Sequence, residues 1–87
     1  MQYKKNLGQH FLKDQNIVDK LVKSIRPSQH DEIIEIGPGD GMMTKSIINK
    51  VKKMILIEKD CDLIDNLKSS FRECENSSIL NLSLIHI

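Results

Sequence analysis

The sequence predicts an α/β chain: the first half of a doubly wound parallel sheet, ending after about three strands. Three observations lead there. Helical apolar spacing and short β-branched runs alternate along the 87 residues in the order helix, strand, helix, strand, helix, strand. Such alternation implies parallel strands joined by right-handed helical crossovers. A glycine cluster, EIGPGDG over residues 35–41, falls where the first strand gives way to a helix, and an acid, Glu58, ends the next strand 21 residues after Gly37.

The elements follow in order. Lys4, Lys5 and Lys13 precede the first acid, Asp14, so the chain opens on a short basic arm. On charge alone it reads as a solvated tail. From Asp14 to Arg26 the apolar residues Ile17, Val18, Leu21, Val22 and Ile25 form the stripe of an amphipathic helix. Asp14 is its expected N-cap, and Pro27 disfavours helical geometry at Arg26 and ends it. Ile33, Ile34 and Ile36 predict a short buried strand running into the glycines. Met42, Met43, Ile47, Ile48 and Val51 return to helical spacing, and Met54–Ile57 reads as a second buried strand with Glu58 at its carboxyl end. Leu63, Ile64, Leu67 and Phe71 mark a third helix that Asp60 and Asp62 are placed to cap. The β-prone SSILNLSLIHI, from Ser77 onward, predicts a third strand.

Composition bounds the function. Hydrophobic residues make up 39% and charged residues 29%, a globular balance. Aromatics are 3% with no Trp, so the core is aliphatic. The net charge of +1 does not by itself mark a nucleic-acid binder. Cys61 and Cys74 lack CxxC spacing, which argues against a disulfide scaffold or a zinc site and for a reducing cytoplasm. No signal-peptide core follows the N-terminal lysines, and no apolar run reaches membrane-spanning length.

Gly37, Gly39 and Gly41 let the backbone turn sharply and let a ligand approach the main chain. Three readings compete. The glycines could serve packing alone in a tight strand-to-helix turn, although three in five residues is more than such a turn needs. They could form a dinucleotide site, but that site expects GxGxxG and here Met42 holds the sixth place. They could bind S-adenosylmethionine in the same crevice, with no phosphate involved. A pyrophosphate wants the positive end of a helix free of anions. Glu35 before the loop, Asp40 inside it, and Glu58 and Asp60 after it favour a ligand carrying a sulfonium and an ammonium group. Glu58 stands where an acid accepts hydrogen bonds from the two ribose hydroxyls.

The runs KKNLGQHFLKDQNIVDKLV, IIEIGPGDGMMT and ILIEKD resemble the start of the ribosomal RNA adenine dimethyltransferases of the KsgA type, from about Lys4 to Asn81. Many methyltransferases share such a glycine loop. GQHFL at a set distance before EIGPG is the more specific part. The resemblance implies a Rossmann-like methyltransferase fold and transfer of methyl groups from S-adenosylmethionine to the exocyclic amines of two adjacent adenines in small-subunit ribosomal RNA. It implies work during small-subunit assembly in the cytoplasm, on RNA rather than DNA, away from membranes, by a monomer. Carried over residue by residue, His10 and Leu12 line the cofactor pocket from an N-terminal flap over residues 1–13. Gly37 lies under the methionine part, and Glu58 holds the ribose. The family often has Asn where His10 stands, and His keeps a hydrogen-bonding tip. Phe11 and Leu12 also suit a hydrophobic staple on the first helix.

No catalytic residue is expected in this sequence. The Asn-Pro-aromatic motif that receives the target base is not encoded, nor is the aspartate after the third strand that meets the cofactor's adenine. The domain expected is therefore a partial S-adenosylmethionine-binding domain over residues 1–81, inactive alone. Residues 82–87, LSLIHI, also read as the in-frame translation of a transposase adapter end (ctg tct ctt ata cac atc), so a non-native tail is expected there. Two other classes remain: a nucleotide-binding oxidoreductase fragment, and a non-catalytic RNA or ribosome-assembly module using the basic arm, whose RNA binding would weaken with salt.

Overall fold

The structure, a computed structural model, describes residues 14–84. Helix α1 spans Gln15–Ile25, strand β1 Glu32–Ile36, helix α2 Met42–Ile47, strand β2 Lys53–Glu58, helix α3 Cys61–Ser70 and strand β3 Ser77–Asn81. A 3-10 turn, Ile48–Lys50, continues α2, and another, Leu82–Leu84, follows β3. The three strands form one parallel sheet in the order β1-β2-β3. Alternating elements and a parallel sheet are what the sequence predicts.

The helix ends follow from local chemistry. The Asp14 carboxylate accepts the Asn16 N–H at 2.9 Å and the Ile17 N–H at 3.4 Å. Such a cap contributes about 1 kcal/mol by satisfying amides that have no partner inside the helix. At the other end Arg26 turns left-handed (φ 54°) and its N–H reaches the Val22 carbonyl, after which Pro27 prevents continuation. Asp60 caps α3 in the same way, accepting the Asp62 and Leu63 N–H groups. Asn76, which no sequence pattern marks, donates to the Ile48 and Val51 carbonyls at 2.8 and 3.3 Å. It thereby satisfies acceptors where the 3-10 turn after α2 leaves the helix.

The core lies on one face of the sheet. Val18 and Val22 of α1, Ile47, Ile48 and Val51 around the end of α2, and Leu67 and Phe71 of α3 pack over Met54 and Leu56 of β2. Ile33 and Ile79 flank that pair on the neighbouring strands, as the register Ile33↔Met54 and Leu56↔Ile79 requires. Side chains alternate along a strand, so Ile34, Ile36, Ile55, Ile57 and Leu80 point the other way. No described helix covers that face. Ile34 is 61% and Ile36 73% exposed. The expectation of a wholly buried first strand is therefore half right. A parallel strand is buried on both sides only when helices lie on both faces, and the three described helices all lie on one.

The α1 stripe is narrower than its periodicity suggests as well. Val18 and Val22 are buried, while Leu21 and Ile25 stay exposed. Strand β3 stops at Asn81, whose side-chain oxygen accepts from the Ser83 amide and hydroxyl and starts the closing 3-10 turn. Cys61 and Cys74 are both free thiols. Among the described residues no helix is long and apolar enough to cross a membrane.

Candidate functional site

The carboxyl ends of β1 and β2 lie side by side, and the glycine loop rises from them. The Gly37 N–H extends the ladder by one bond, donating to the Ile57 carbonyl at 2.8 Å. The chain then turns sharply: Gly37, Gly39 and Gly41 all take left-handed backbone angles, with φ of 70°, 62° and 86°. Their surroundings divide them. A β-carbon on Gly37 or Gly39 would meet nothing within 4 Å, whereas one on Gly41 would lie 2.8 Å from Phe71 Cε2 and 3.2 Å from Leu67 Cδ2. The packing reading of the glycines thus holds for Gly41, which seats the loop against the end of α3. Gly37 and Gly39 turn an open backbone surface outward, the shape that lets a ligand lie against the main chain.

The acids are more occupied than their sequence positions suggest. Glu58 is only 5% exposed. One of its carboxylate oxygens accepts the Gly39 N–H at 3.3 Å, and the other accepts the Lys59 and Asp60 N–H groups at 2.9 and 3.0 Å. The carboxylate stands at the carboxyl end of β2 and ties the glycine loop to the start of α3. Asp40 accepts the Met42 N–H at 3.2 Å and stays exposed, so it keeps the loop unfavourable for a pyrophosphate. Asp60 is spent on capping α3.

Glu35 lies below the loop on the helix-covered face and accepts a hydrogen bond from the hydroxyl of Thr44, a fully buried residue of α2, at 2.5 Å. Sequence reading overlooked this contact. Its signal was a hydroxyl at position 44, three and four residues before Ile47 and Ile48 and so on the same helix face as they are. Burial pushes the Glu35 carboxyl above its usual range, and the Thr44 hydrogen bond opposes that shift. The folded chain thus holds a proton at Glu35 more readily than the unfolded chain. Stability from this group is complete below the unfolded pKa and is lost as pH rises through the folded one. Glu35→Gln keeps an oxygen for Thr44 and removes the charge. Denaturant titrations should find the variant more stable than the parent at neutral pH, with the advantage vanishing under acid conditions. Equal stability across the range would mean that the carboxylate is well solvated.

Among the described residues two grooves lie near these elements, and the smaller begins in the loop at Asp40 and Gly41. A groove of about 460 Å³ runs along α3 and β3 past Cys61, Lys68 and Asn81, and one of about 300 Å³ runs past Lys45 and Phe71. Neither is lined by Gly37 or Glu58. The geometry around those two residues, not enclosed volume, makes the loop the candidate site. His10 and Leu12, the other expected cofactor contacts, lie outside the described residues.

A family model described as ribosomal RNA adenine dimethylase matches residues 1–85. The ribosomal RNA small subunit methyltransferase A of Blochmanniella pennsylvanica is 47% identical over 72 residues, covering 80% of this chain and 27% of that protein. The protein of the same name from Clostridium botulinum (strain Loch Maree) is 36% identical over 85 residues, covering 98% of this chain and 31% of that protein. The chain thus spans under a third of the length of these curated relatives. Among solved structures, a dimethyladenosine transferase from Plasmodium falciparum superposes with a TM-score of 0.74 at 26% identity, covering 78% of this chain and 26% of that one.

Proposed function

Because the chain belongs to the ribosomal RNA adenine dimethylase family, we propose that it forms the cofactor-binding start of an enzyme that dimethylates adenine. The reaction uses S-adenosylmethionine and modifies the exocyclic amines of two adjacent adenines in small-subunit ribosomal RNA. The observation that carries this reading is the open backbone surface at Gly37 and Gly39 beside the carboxylate of Glu58. A flat, Cβ-free strand end suits the amino-acid part of the donor, and an acid at the end of the next strand suits its ribose. The bound donor supplies an electrophilic methyl carbon on a sulfonium.

The residues of this chain do the holding. Gly37 lies under the methionine moiety, Glu58 orients the ribose, and His10 and Leu12 close over the pocket from the N-terminal segment. Holding matters because methyl transfer is an in-line displacement whose barrier falls mainly through alignment. The target adenine must also leave its stack for a pocket of its own, which the rest of a protein of the relatives' length supplies. The assembling small subunit in the cytoplasm is the proposed partner, and the full enzyme acts as a monomer. Residues 82–87 are proposed to be non-native. Long reads across the locus test that, and a native stop codon after Ile87 overturns it.

Calorimetry discriminates the reading from its rival. The chain should release heat with S-adenosylmethionine or S-adenosylhomocysteine and none with a nicotinamide dinucleotide, and the reverse pattern would favour an oxidoreductase fragment. Incubated with labelled donor and unmethylated small subunits, the chain alone should transfer nothing, since it encodes no pocket for the target base. Transfer above background would sink that part.

A further inference from the structure

We infer that Glu58 is also a latch on the glycine loop, and that a bound ribose must displace the Gly39 amide from it. The inference rests on the proposed cofactor reading for its second half only. A carboxylate offers about four acceptor sites. Three of those on Glu58 are already filled by the Gly39, Lys59 and Asp60 N–H groups. The two hydroxyls of a ribose are both donors toward an ionised acid, so one of them finds a free site and the other must evict an amide. Glu58 is also almost wholly buried, so its oxygens meet a ligand only if something above them moves.

The amide that leaves is Gly39. Its bond is the longest of the three, at 3.3 Å against 2.9 and 3.0 Å. The Lys59 and Asp60 amides belong to the turn that sets up Asp60 as the cap of α3, with its own bonds to Asp62 and Leu63. Breaking either would loosen that helix start. Around Gly39 there is room to move: nothing lies within 4 Å of the place its β-carbon would occupy. The loop is anchored before this turn by the Gly37 N–H on Ile57, and the Gly39 N–H shares its peptide with the Pro38 carbonyl, which accepts the Gly41 N–H. The movement is therefore a tilt of the Pro38–Gly41 turn that keeps the Gly41–Pro38 bond and draws the Gly39 N–H off Glu58. Glu58 thus acts as a positioning residue twice: toward the loop when the site is empty, and toward the ribose when it is filled.

Amide hydrogen exchange on the isotope-labelled chain tests this. Adding S-adenosylhomocysteine should speed exchange at Gly39 by about tenfold, the factor that one hydrogen bond to a charged acceptor contributes. Lys59 and Asp60 should stay protected. Glu58→Gln, which keeps one accepting oxygen, should show the fast Gly39 exchange without ligand and no further change with it. If that variant does not fold, as read from the amides of α1, Glu58→Asp provides the same comparison with a carboxylate drawn back from the loop. If neither folds, the titration of the parent chain decides alone. Unchanged or slower Gly39 exchange, in a sample whose other loop resonances shift with ligand, overturns the latch. Fast Gly39 exchange in the folded variant, with no resonance of the parent chain shifting on ligand addition, upholds the tie to the loop and sinks the cofactor reading instead.

Discussion

Gly41→Ala should lower the melting temperature by roughly 8–40 °C, given that 1 kcal/mol shifts a domain of this size by about 4–8 °C. Two costs combine. A non-glycine residue at φ 86° costs about 1–2 kcal/mol of backbone strain. A methyl 2.8 Å from the Phe71 ring adds about 1–3 kcal/mol of overpacking. The ring cannot easily retreat, because Phe71 and Leu67 are both part of the core. A chain this small has only on the order of 5 kcal/mol in reserve, so much of the population should be unfolded near body temperature. Gly39→Ala is the control: it carries the same backbone strain at φ 62° but meets no neighbour, so it should lose about 1–2 kcal/mol. The difference between the two variants measures the Phe71 contact, and Phe71→Leu should narrow it. Equal losses would mean that Gly41 is required for its backbone angle alone.

Ile34→Lys combined with Ile36→Lys should convert a self-associating chain into a monodisperse one. The uncovered face carries five apolar side chains, Ile34, Ile36, Ile55, Ile57 and Leu80, across all three strands. β1 pairs only with β2 among the described residues, which leaves its other edge open. A contiguous apolar patch beside an unpaired strand edge is the usual recipe for association. Two lysines on the most exposed positions break the patch and guard the edge. Surface changes of this kind usually shift stability by no more than about 0.5 kcal/mol each, so the helical signal in circular dichroism should persist. Sedimentation of the parent chain should depend on concentration, and that of the double variant should not. Identical behaviour of the two chains would exclude this face as the sticky surface.

The α/β class, the element order and the helix ends were legible because each depends on a few neighbouring residues. Asp14 and Asp60 cap helices by reaching amides two and three positions ahead, and Pro27 stops α1 through its own ring. The glycine loop and Glu58 were legible as a candidate site because strand, turn and acid recur at a spacing set by one strand–helix–strand unit. The family was legible for a different reason, the GQHFL run, whose residues carry no structural signal of their own.

What the linear pattern could not convey is which neighbour each side chain meets. Ile33 and Ile34 are chemically identical and adjacent, yet one packs under the helices and the other faces outward. Periodicity says that a position is apolar, and only the placement of the helices says which face of the strand they cover. The three glycines likewise look equivalent in sequence, and tertiary packing alone separates Gly41, pressed on Phe71, from Gly37 and Gly39, open to a ligand. Glu58 read as a free acid at a strand end. The fold delivers three backbone N–H groups to it, one from a loop 19 residues away, and thereby makes its carboxylate a structural tie. Local rules determined the elements and the chemistry at hand. Contacts between residues distant in sequence decided where that chemistry points, because burial and hydrogen-bond partners are properties of the packed arrangement and not of any segment within it.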